Sequence, residues 1–402
     1  MRVLIINLRI GTGSVGRIVS DLYQGIIESG NECKVAYARG GIGSISKQDT
    51  YKICSENEVR LHAALTRLFG NTAFYFSSST QKLCKWISEY DPDIIHLHGV
   101  YGYYLNMEIL FNYMASSRAY IVSTLHSCWD FTGHCCYFDY INCAQWKTGC
   151  KKCRAKGSYP KSSFLDNTKK NYEKKKEAYR KLERCEIVTP SIWLSNYLRD
   201  SFLKEKKHRV IYNGIDLSSF KALQNKSRYV EGIDKPIILC IASIWERRKG
   251  WEDVVELSFL LPSKYQLVVV GTSQKQSAEL HKNVITITRT DNKEELAELY
   301  SSATVLFNPT YEDNYPTVNL EAIACHTPVV TYQTGGSPEA LKKATWGVVI
   351  EKKDFTGLMK YVDTIYESAD YITDEDLQVL SKKHMVEQYL DLYKELVEDI
   401  PT

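Results

Sequence analysis

The sequence lacks any strong imbalance of charge. Lys and Arg total 51 against 48 Asp and Glu, a formal net charge of +3 over 402 residues. A protein that held nucleic acid along its surface would carry an excess of cations, so no nucleic-acid partner is expected, and only a local basic patch remains open. Long hydrophobic runs are also missing: nothing approaches the ~18 apolar residues that cross a bilayer. The opening "MRVLIINLRIGTG" stops at Arg9 and a glycine loop, without the apolar length or cleavage site of a secretory signal. Internal repeats and low-complexity tracts are absent. Twelve cysteines without an export signal imply a reducing compartment, where thiols stay free or bind metal, and the cytoplasm is the expected location.

What is present reads as globular protein, 44% hydrophobic and 25% charged, with length for two domains. Short apolar runs alternate with helical patterns throughout. In the first half they are "RVLIINL" (2–8), "CKVAYA" (33–38), "DIIHLHG" (93–99), "YIVSTLH" (120–126), "CEIVTPS" (185–191) and "HRVIYNG" (208–214). The second half repeats the rhythm with "PIILCIAS" (236–243), "YQLVVVG" (265–271), "NVITITR" (283–289), "ATVLFNP" (303–309) and "TPVVTYQ" (327–333). Continuous rather than alternating apolar runs predict parallel strands buried on both faces. The expectation is α/β: two Rossmann-like, doubly wound domains facing a central cleft, with ligands at the carboxyl ends of the strands. Residues 213–235 read as a polar linker, and the Lys-rich stretch 169–184 as a solvated helix face.

The strand ends therefore carry the candidate chemistry. "GTGSVG" places Gly11, Gly13 and Gly16 in GxGxxG spacing after the first strand, which lets phosphate oxygens approach backbone N–H groups at a helix start. A dinucleotide site also needs an acid ending the second strand; Tyr37, Ala38 and Arg39 stand there, so NAD is not expected. A tight turn without ligand remains the alternative. His96, His98 and His126 lie at strand ends and can bond sugar hydroxyls or phosphate, and His126 with Trp129 and Asp130 is the preferred group. Cys135, Cys136, Cys143, Cys150 and Cys153 fall within nineteen residues. Cys150-x-x-Cys153 has zinc-ligand spacing, and Cys135 and Cys143 would complete a closed, structural tetrahedron. Free thiols or an oxidation-sensitive pair are the competing readings.

In the second half "SIWERRKGW" sets Arg247, Arg248 and Lys249 before Gly250. Clustered cations suit a diphosphate; a solvated helix start fits less well, because cations are disfavoured there without an anion. In "TYEDNYPTVNLEAIAC" (310–325) a loop carries Glu312 and Asp313, and a helix follows. Thr317 and Asn319 could cap that helix or meet an anion, and the Glu321 carboxylate could accept two hydroxyls of a ribose.

Taken together, these residues resemble the retaining glycosyltransferases of family four, which have the GT-B fold. Asp313 and Glu321 keep that family's spacing of two acids separated by seven intervening residues, with Asp313 rather than Glu312 in the first place. "NGID" (213–216), "RKG" (248–250), "TPVVTYQTGGSPE" (327–339) and "EQYLDLYKEL" (387–396) support it. The first half resembles bacterial polysaccharide-assembly members carrying "LH-x-CW-x-FTGHC". The resemblance implies an acceptor-side domain over 1–215, joined by a returning helix over 386–402, and a donor-binding domain over 216–385. It implies that Glu321 holds the donor ribose, while Asp313 and the backbone of Asn314, Tyr315, Pro316 and Thr317 meet sugar and diphosphate. Arg248 and Lys249, with Arg247 in support, would neutralise the leaving diphosphate. Gly13 would approach the donor, His126 the sugar, and His98, Trp129 and Asp130 the acceptor side.

Three positions depart from the family pattern: Ser243 where an Arg is usual, His326 for Gly, and Ser127 for Asp. The implied reaction moves a sugar from a nucleotide-sugar donor to a glycan or lipid-linked acceptor with retention. It requires no cofactor or metal for catalysis; the zinc above would be structural. Peripheral contact with the inner membrane face is expected of a lipid-linked acceptor, and the 169–176 lysines could meet anionic lipid. A GT-B epimerase or phosphorylase, and a binding protein weakened by the three departures, remain the competing readings.

Overall fold

Two parallel sheets carry the chain, which the computed structural model describes over residues 1–367 and 372–398. The first contains β1 (Arg2–Arg9), β2 (Glu32–Arg39), β3 (Thr50–Lys52), β4 (Ile94–His98), β5 (Tyr120–Thr124), β6 (Cys185–Thr189) and β7 (Lys207–Val210). Their spatial order is β3-β2-β1-β4-β5-β6-β7. The second contains β8 (Ile237–Ile241), β9 (Gln266–Val270), β10 (Ile285–Ile287), β11 (Val305–Asn308), β12 (Val329–Tyr332) and β13 (Gly347–Ile350), in the order β10-β9-β8-β11-β12-β13. The central strands are buried along their length, as in "IIHLH" of β4 and "CEIVT" of β6, which is why their apolar runs do not alternate. The sheets lie in separate units, Met1–Tyr212 with the chain from Met385, and Asn213–His384.

Helices of the first unit are α1 (Gly13–Glu28), α2 (Glu56–Phe69), α3 (Ser77–Tyr90), α4 (Met107–Ser116), α5 (Thr168–Lys181) and α6 (Ile192–Leu198). The second has α7 (Trp251–Leu260), α8 (Gln274–Ser277), α9 (Lys293–Ser302), α10 (Thr317–Ala324) and α11 (Phe355–Glu367); α12 (Lys382–Glu398) begins there and ends in the first. From Met385 onward α12 seals the first core. Met385, Val386, Tyr389, Leu392 and Tyr393 join Val3, Ile5, Ile18 and Leu22 in one cluster. Gly25 of α1 permits the contact, since a Cβ there would sit 2.3 Å from Val386. Of the expected 386–402 segment, residues 399–402 lie outside those described.

Every strand foreseen from an apolar run is present, and β3 and β13 are additional. Both are short edge strands and mostly half-exposed, so neither needs a sustained apolar run. The 169–184 lysines are not one solvated face. Lys175 is fully buried, and Lys174 pairs with Glu108.

Candidate active site

A doubly wound sheet opens a crevice where its strand order reverses, beyond the carboxyl ends of the two strands that flank the reversal. In the first unit those strands are β1 and β4. The loop after β1 turns at Gly11 and Gly13, both left-handed with φ of 70° and 72°, a conformation that glycine adopts without strain. Gly11 N–H closes the turn on the Gly16 carbonyl at 3.2 Å. α1 starts at Gly13 without a side-chain cap, and Gly13 to Gly16 line an open cleft of about 230 Å³. Gly13, Gly16, Arg9, His98, Tyr101 and His126 all line it. The structure thus brings together Gly13, His98 and His126, and adds Arg9 and Tyr101, which were not singled out from sequence. Arg9 had a signal: it is the charge that ends the β1 run just before the glycine turn.

Behind the cleft the histidines form a buried chain. His126 and His98 approach at 2.9 Å, His98 and His96 at 3.2 Å, and His96 meets the Tyr393 hydroxyl at 2.6 Å and Thr124 at 2.7 Å. Burial pushes His126 down to about 4 and holds His98 and His96 well below the ordinary histidine value. At neutral pH all three are neutral imidazoles, able to donate and accept hydrogen bonds. His96 belongs to the core between β4 and α12 rather than to the cleft.

Trp129 and Asp130 are not brought to the cleft, contrary to their expected acceptor-side place. Each is 1% exposed, held in the layer between β5 and α5. The Lys175 ammonium lies 3.4 Å from the centre of the Trp129 ring and donates to the Trp129 carbonyl. Asp130 accepts a 2.9 Å bond from Tyr179, and its other oxygen, Oδ2, is buried without a partner among the described residues. Burial raises its pKa to about 6, with Lys175 opposing, and lowers that of Lys175 to about 8. Ser127 accepts from Trp129 N–H at the start of the turn over 128–131, a capping task that a short acid also performs.

In the second unit the reversal lies between β8 and β11, and both expected motifs follow those strands. The loop after β8 carries Arg247, exposed, with Arg248 and Lys249 half-buried. Arg248 Nη1 donates to the Glu312 carbonyl at 2.7 Å, and the Arg248 carbonyl accepts from Tyr311 N–H at 2.7 Å. Lys249 forms an ion pair with Asp313. The loops can approach because residue 250 is glycine: a Cβ there would lie 2.2 Å from the Pro309 carbonyl oxygen. Asp313 is held further by its own Oδ1, which accepts from Asn314 N–H at 2.9 Å. Its carbonyl accepts from Gly336 N–H at 2.9 Å. Burial alone would raise the Asp313 carboxyl, but Lys249 and Arg248 outweigh it and hold the group below the usual carboxylate range. Glu312, by contrast, is fully buried.

α10 begins at Thr317 after Pro316, with no side-chain cap. Asn319 does not cap the helix. It accepts from Asn308 at 2.8 Å and donates to Ser337, knitting the end of β11 to the turn after β12. Glu321, one turn from Thr317, is 4% exposed and accepts a 3.1 Å bond from Tyr300. Asn314 and Tyr315, within the loop, are buried. His326 follows α10 with φ of 60°, the left-handed position that ends many helices and favours glycine. Its ring hydrogen-bonds Asp374 at 2.8 Å. Ser243 is exposed, and nothing in the structure explains its identity.

Cys135, Cys143, Cys150 and Cys153 line one small cavity together with His134, and Cys136 does not. The cavity does not fit the tetrahedral zinc expected there. Among the described residues no group of three or more His, Cys, Asp or Glu side chains is arranged to hold a metal ion. Instead Cys135 and Cys153 hydrogen-bond each other, which raises the first thiol and lowers the second. No helix among the described residues is long and apolar enough to cross a membrane.

Comparison with known proteins bears on the whole chain. A family model described as Glycosyltransferase Family 4 matches residues 15–219, and one described as Glycosyl transferases group 1 matches residues 224–384. The sequence is 25% identical over 417 residues to a putative colanic acid biosynthesis glycosyl transferase, WcaC, of Escherichia coli K12, covering 98% of this chain and 100% of that one. It is 25% identical over 224 residues to the N,N'-diacetylbacillosaminyl-diphospho-undecaprenol alpha-1,3-N-acetylgalactosaminyltransferase of Campylobacter jejuni, 51% of this chain and 59% of that one. Among solved structures, sucrose-phosphate synthase of Thermosynechococcus elongatus superposes with a TM-score of 0.69 at 18% identity, covering 99% of this chain and 100% of that one. Anabaena HepE in complex with UDP-glucose gives 0.59 at 13% identity, covering 99% and 98%.

Proposed function

The chain belongs to glycosyltransferase family 4 and has the GT-B fold, and from that premise we propose that it is a retaining enzyme of cell-surface polysaccharide assembly. It would move a sugar, of hexosyl type, from a nucleoside diphosphate donor to a hydroxyl of a glycan or lipid-linked acceptor. The observation that carries the donor side is the junction of Arg248 and Lys249 with Asp313 at the strand reversal of the second unit. Two cations held beside a carboxylate and a buried Glu321 suit a diphosphate next to a sugar and a ribose. The acceptor class draws on the relatives, one described for colanic acid and one for a diphospho-undecaprenol substrate.

In this reading Glu321 accepts the ribose hydroxyls, and Asp313 with the backbone of 314–317 positions sugar and diphosphate. Arg248 and Lys249 stabilise the charge that grows on the departing diphosphate, with Arg247 at the rim. The Gly13 turn and His126 are assigned to the donor's diphosphate and sugar, and His98 to support of His126. Retention follows a front-face course. The bond from the anomeric carbon to the phosphate oxygen breaks, the acceptor oxygen bonds to the same face, and its proton passes to the leaving phosphate. A double displacement needs a carboxylate free to attack the anomeric carbon, whereas Asp313 is assigned to the hydroxyls of the sugar. Because the two cations supply the charge stabilisation, turnover is expected without added divalent ions.

The test is a thermal-shift screen of nucleotide sugars, then turnover with and without chelator, with the product's anomeric configuration read by NMR. Glu321→Ala and Lys249→Ala should each reduce turnover by about two orders of magnitude or more. Undiminished turnover in both would sink the assignment, and an inverted product would remove retention alone.

A further inference from the structure

We propose that the first unit carries a subsite for an anionic saccharide acceptor, in which a sugar ring packs on the half-exposed ring of Tyr159 and Arg9 meets a phosphate or carboxylate on that sugar. The inference rests on the transfer reading and deepens it. Trp129 and Asp130, expected on the acceptor side, are buried, so other groups must hold the acceptor there.

The loop after β4 supplies one side of the subsite. Tyr101 lines the cleft together with Gly13 and His126, and Trp129 backs it, the two ring centres 5.6 Å apart. Gly99, left-handed at φ of 74°, makes room for the Tyr101 ring, which a Cβ there would meet at 3.1 Å. The Tyr104 hydroxyl closes the loop by donating to the Gly99 carbonyl at 3.1 Å. Tyr103 is left-handed too, at φ of 73°, a conformation rare for a bulky residue and kept mostly where a site needs its side chain aimed. Tyr159, from the segment before α5, completes the wall. Its ring meets Tyr101 at 6.2 Å and Tyr103 at 5.8 Å between centres, both edge to face. The neighbouring Ser158 is tied to Tyr140, their hydroxyls 3.0 Å apart, and its N–H donates to the Ala155 carbonyl at 2.9 Å. Braced in this way, Tyr159 is still 48% exposed. A fixed aromatic ring open to solvent suits the apolar C–H face of a sugar, whose hydroxyls are left to polar neighbours.

Charge narrows the class of sugar. Arg9 lines the same cleft as Tyr101, is exposed, and has no ion-pair partner among the described residues. Arg39, by contrast, is engaged by Glu56 at 3.1 Å. Burial raises the pKa of the Tyr159 hydroxyl, and Tyr103 and Cys136 add to it, while the charges of Arg9 and Arg39 oppose. Both cations therefore stand near that hydroxyl, and Arg9 is the one left to act. Its guanidinium fork binds phosphate or carboxylate through two parallel bonds, and a neutral sugar would leave it unused. The shared chemistry has two sources, a phosphorylated sugar and a uronate.

Saturation-transfer NMR on the full chain tests this with methyl hexosides, methyl hexuronides and hexose 1-phosphates of the glucose, galactose and mannose series. At least one anionic probe should bind about tenfold or more tightly than its neutral counterpart, and Arg9→Met should erase that preference. Preference for the hexuronide assigns the carboxylate, and preference for the 1-phosphate assigns the phosphoryl group. Tyr159→Ala should weaken charged and neutral probes alike by about tenfold, while Tyr159→Phe retains binding because the sugar packs on the ring. Nucleotide-sugar thermal shifts should be the same in Tyr159→Ala and the parent. Equal binding of charged and neutral probes, no binding of any anionic probe, or variants that bind as the parent does would each overturn the proposal. So would loss of the nucleotide-sugar shift in Tyr159→Ala, which would give the ring to the donor. Failure of the transfer reading is distinct: it shows as no nucleotide-sugar shift in the parent, whatever the saccharide probes do.

Discussion

Separating Lys249 from Asp313 tests both the site's architecture and its use. The pair joins the loops after β8 and β11, with side chains 22% and 14% exposed. At contact distance and an effective dielectric of about 20, the attraction is worth about 4 kcal/mol before desolvation. Desolvation and the half-open setting reduce the net coupling to about 1–3 kcal/mol. The experiment is a double-mutant cycle of Lys249→Met and Asp313→Asn, read by denaturant unfolding. Its pH dependence has a definite sign. Asp313 is held below its ordinary value, so its contribution is complete above the unfolded pKa near 3.9 and is lost as pH falls through the folded value. Coupling should therefore be full at pH 7 and shrink below about pH 4. In the proposed function the diphosphate takes over Lys249, so Asp313→Asn should keep nucleoside diphosphate affinity while Lys249→Met loses about tenfold or more. A coupling below about 0.3 kcal/mol at pH 7, within the scatter of independent sites, would refute the reasoning. So would a coupling that does not change down to pH 3.

Three further outcomes can be checked. His126, pushed down to about 4 in the fold against about 6.5 when unfolded, takes up its proton more readily in the unfolded state. Stability should be full above about pH 6.5 and fall towards pH 4, and His126→Gln should flatten that loss by about 1–3 kcal/mol; an unchanged pH profile contradicts the burial argument. Lys175→Met removes the buried ammonium from Trp129 and leaves Asp130 without its cation, so unfolding free energy should drop by about 3–5 kcal/mol. Adding Asp130→Asn should recover part of this, and a double variant no better than the single one counts against the pairing. Because the Cys135–Cys153 cavity does not present a tetrahedral donor set, metal analysis should find well under one zinc per chain and a chelator should leave the melting temperature unmoved. Stoichiometric zinc would reverse that correction.

The fold was legible because burial on both faces writes itself into continuous apolar runs, and the central strands of both sheets are of that kind. Edge strands such as β3 escape the rule, since "TYK" is half-exposed and needs no apolar run. The site was partly legible. Gly13, His98 and His126 share a cleft, and Arg248, Lys249 and Asp313 share a junction, because each follows a strand flanking the reversal. Trp129 and Asp130 misled because a motif's chain position says nothing about which way its side chains turn. Here the buried Lys175, forty-odd residues away, draws both inward. Asn319 misled for the same reason, its partner Ser337 lying on another loop.

His326 shows how a departure from the family pattern can be structural rather than functional. The position is left-handed, where a non-glycine residue costs roughly 1–2 kcal/mol. That cost acts on the turn from α10 into β12, not on the face of α10 that carries Glu321. Ser127 keeps the capping task at its turn, 2% exposed, and also hydrogen-bonds Tyr101 of the first unit's cleft. The His326 change leaves the contacts of Arg248, Lys249 and Asp313 in place, so the argument for a weakened enzyme loses one of its three supports.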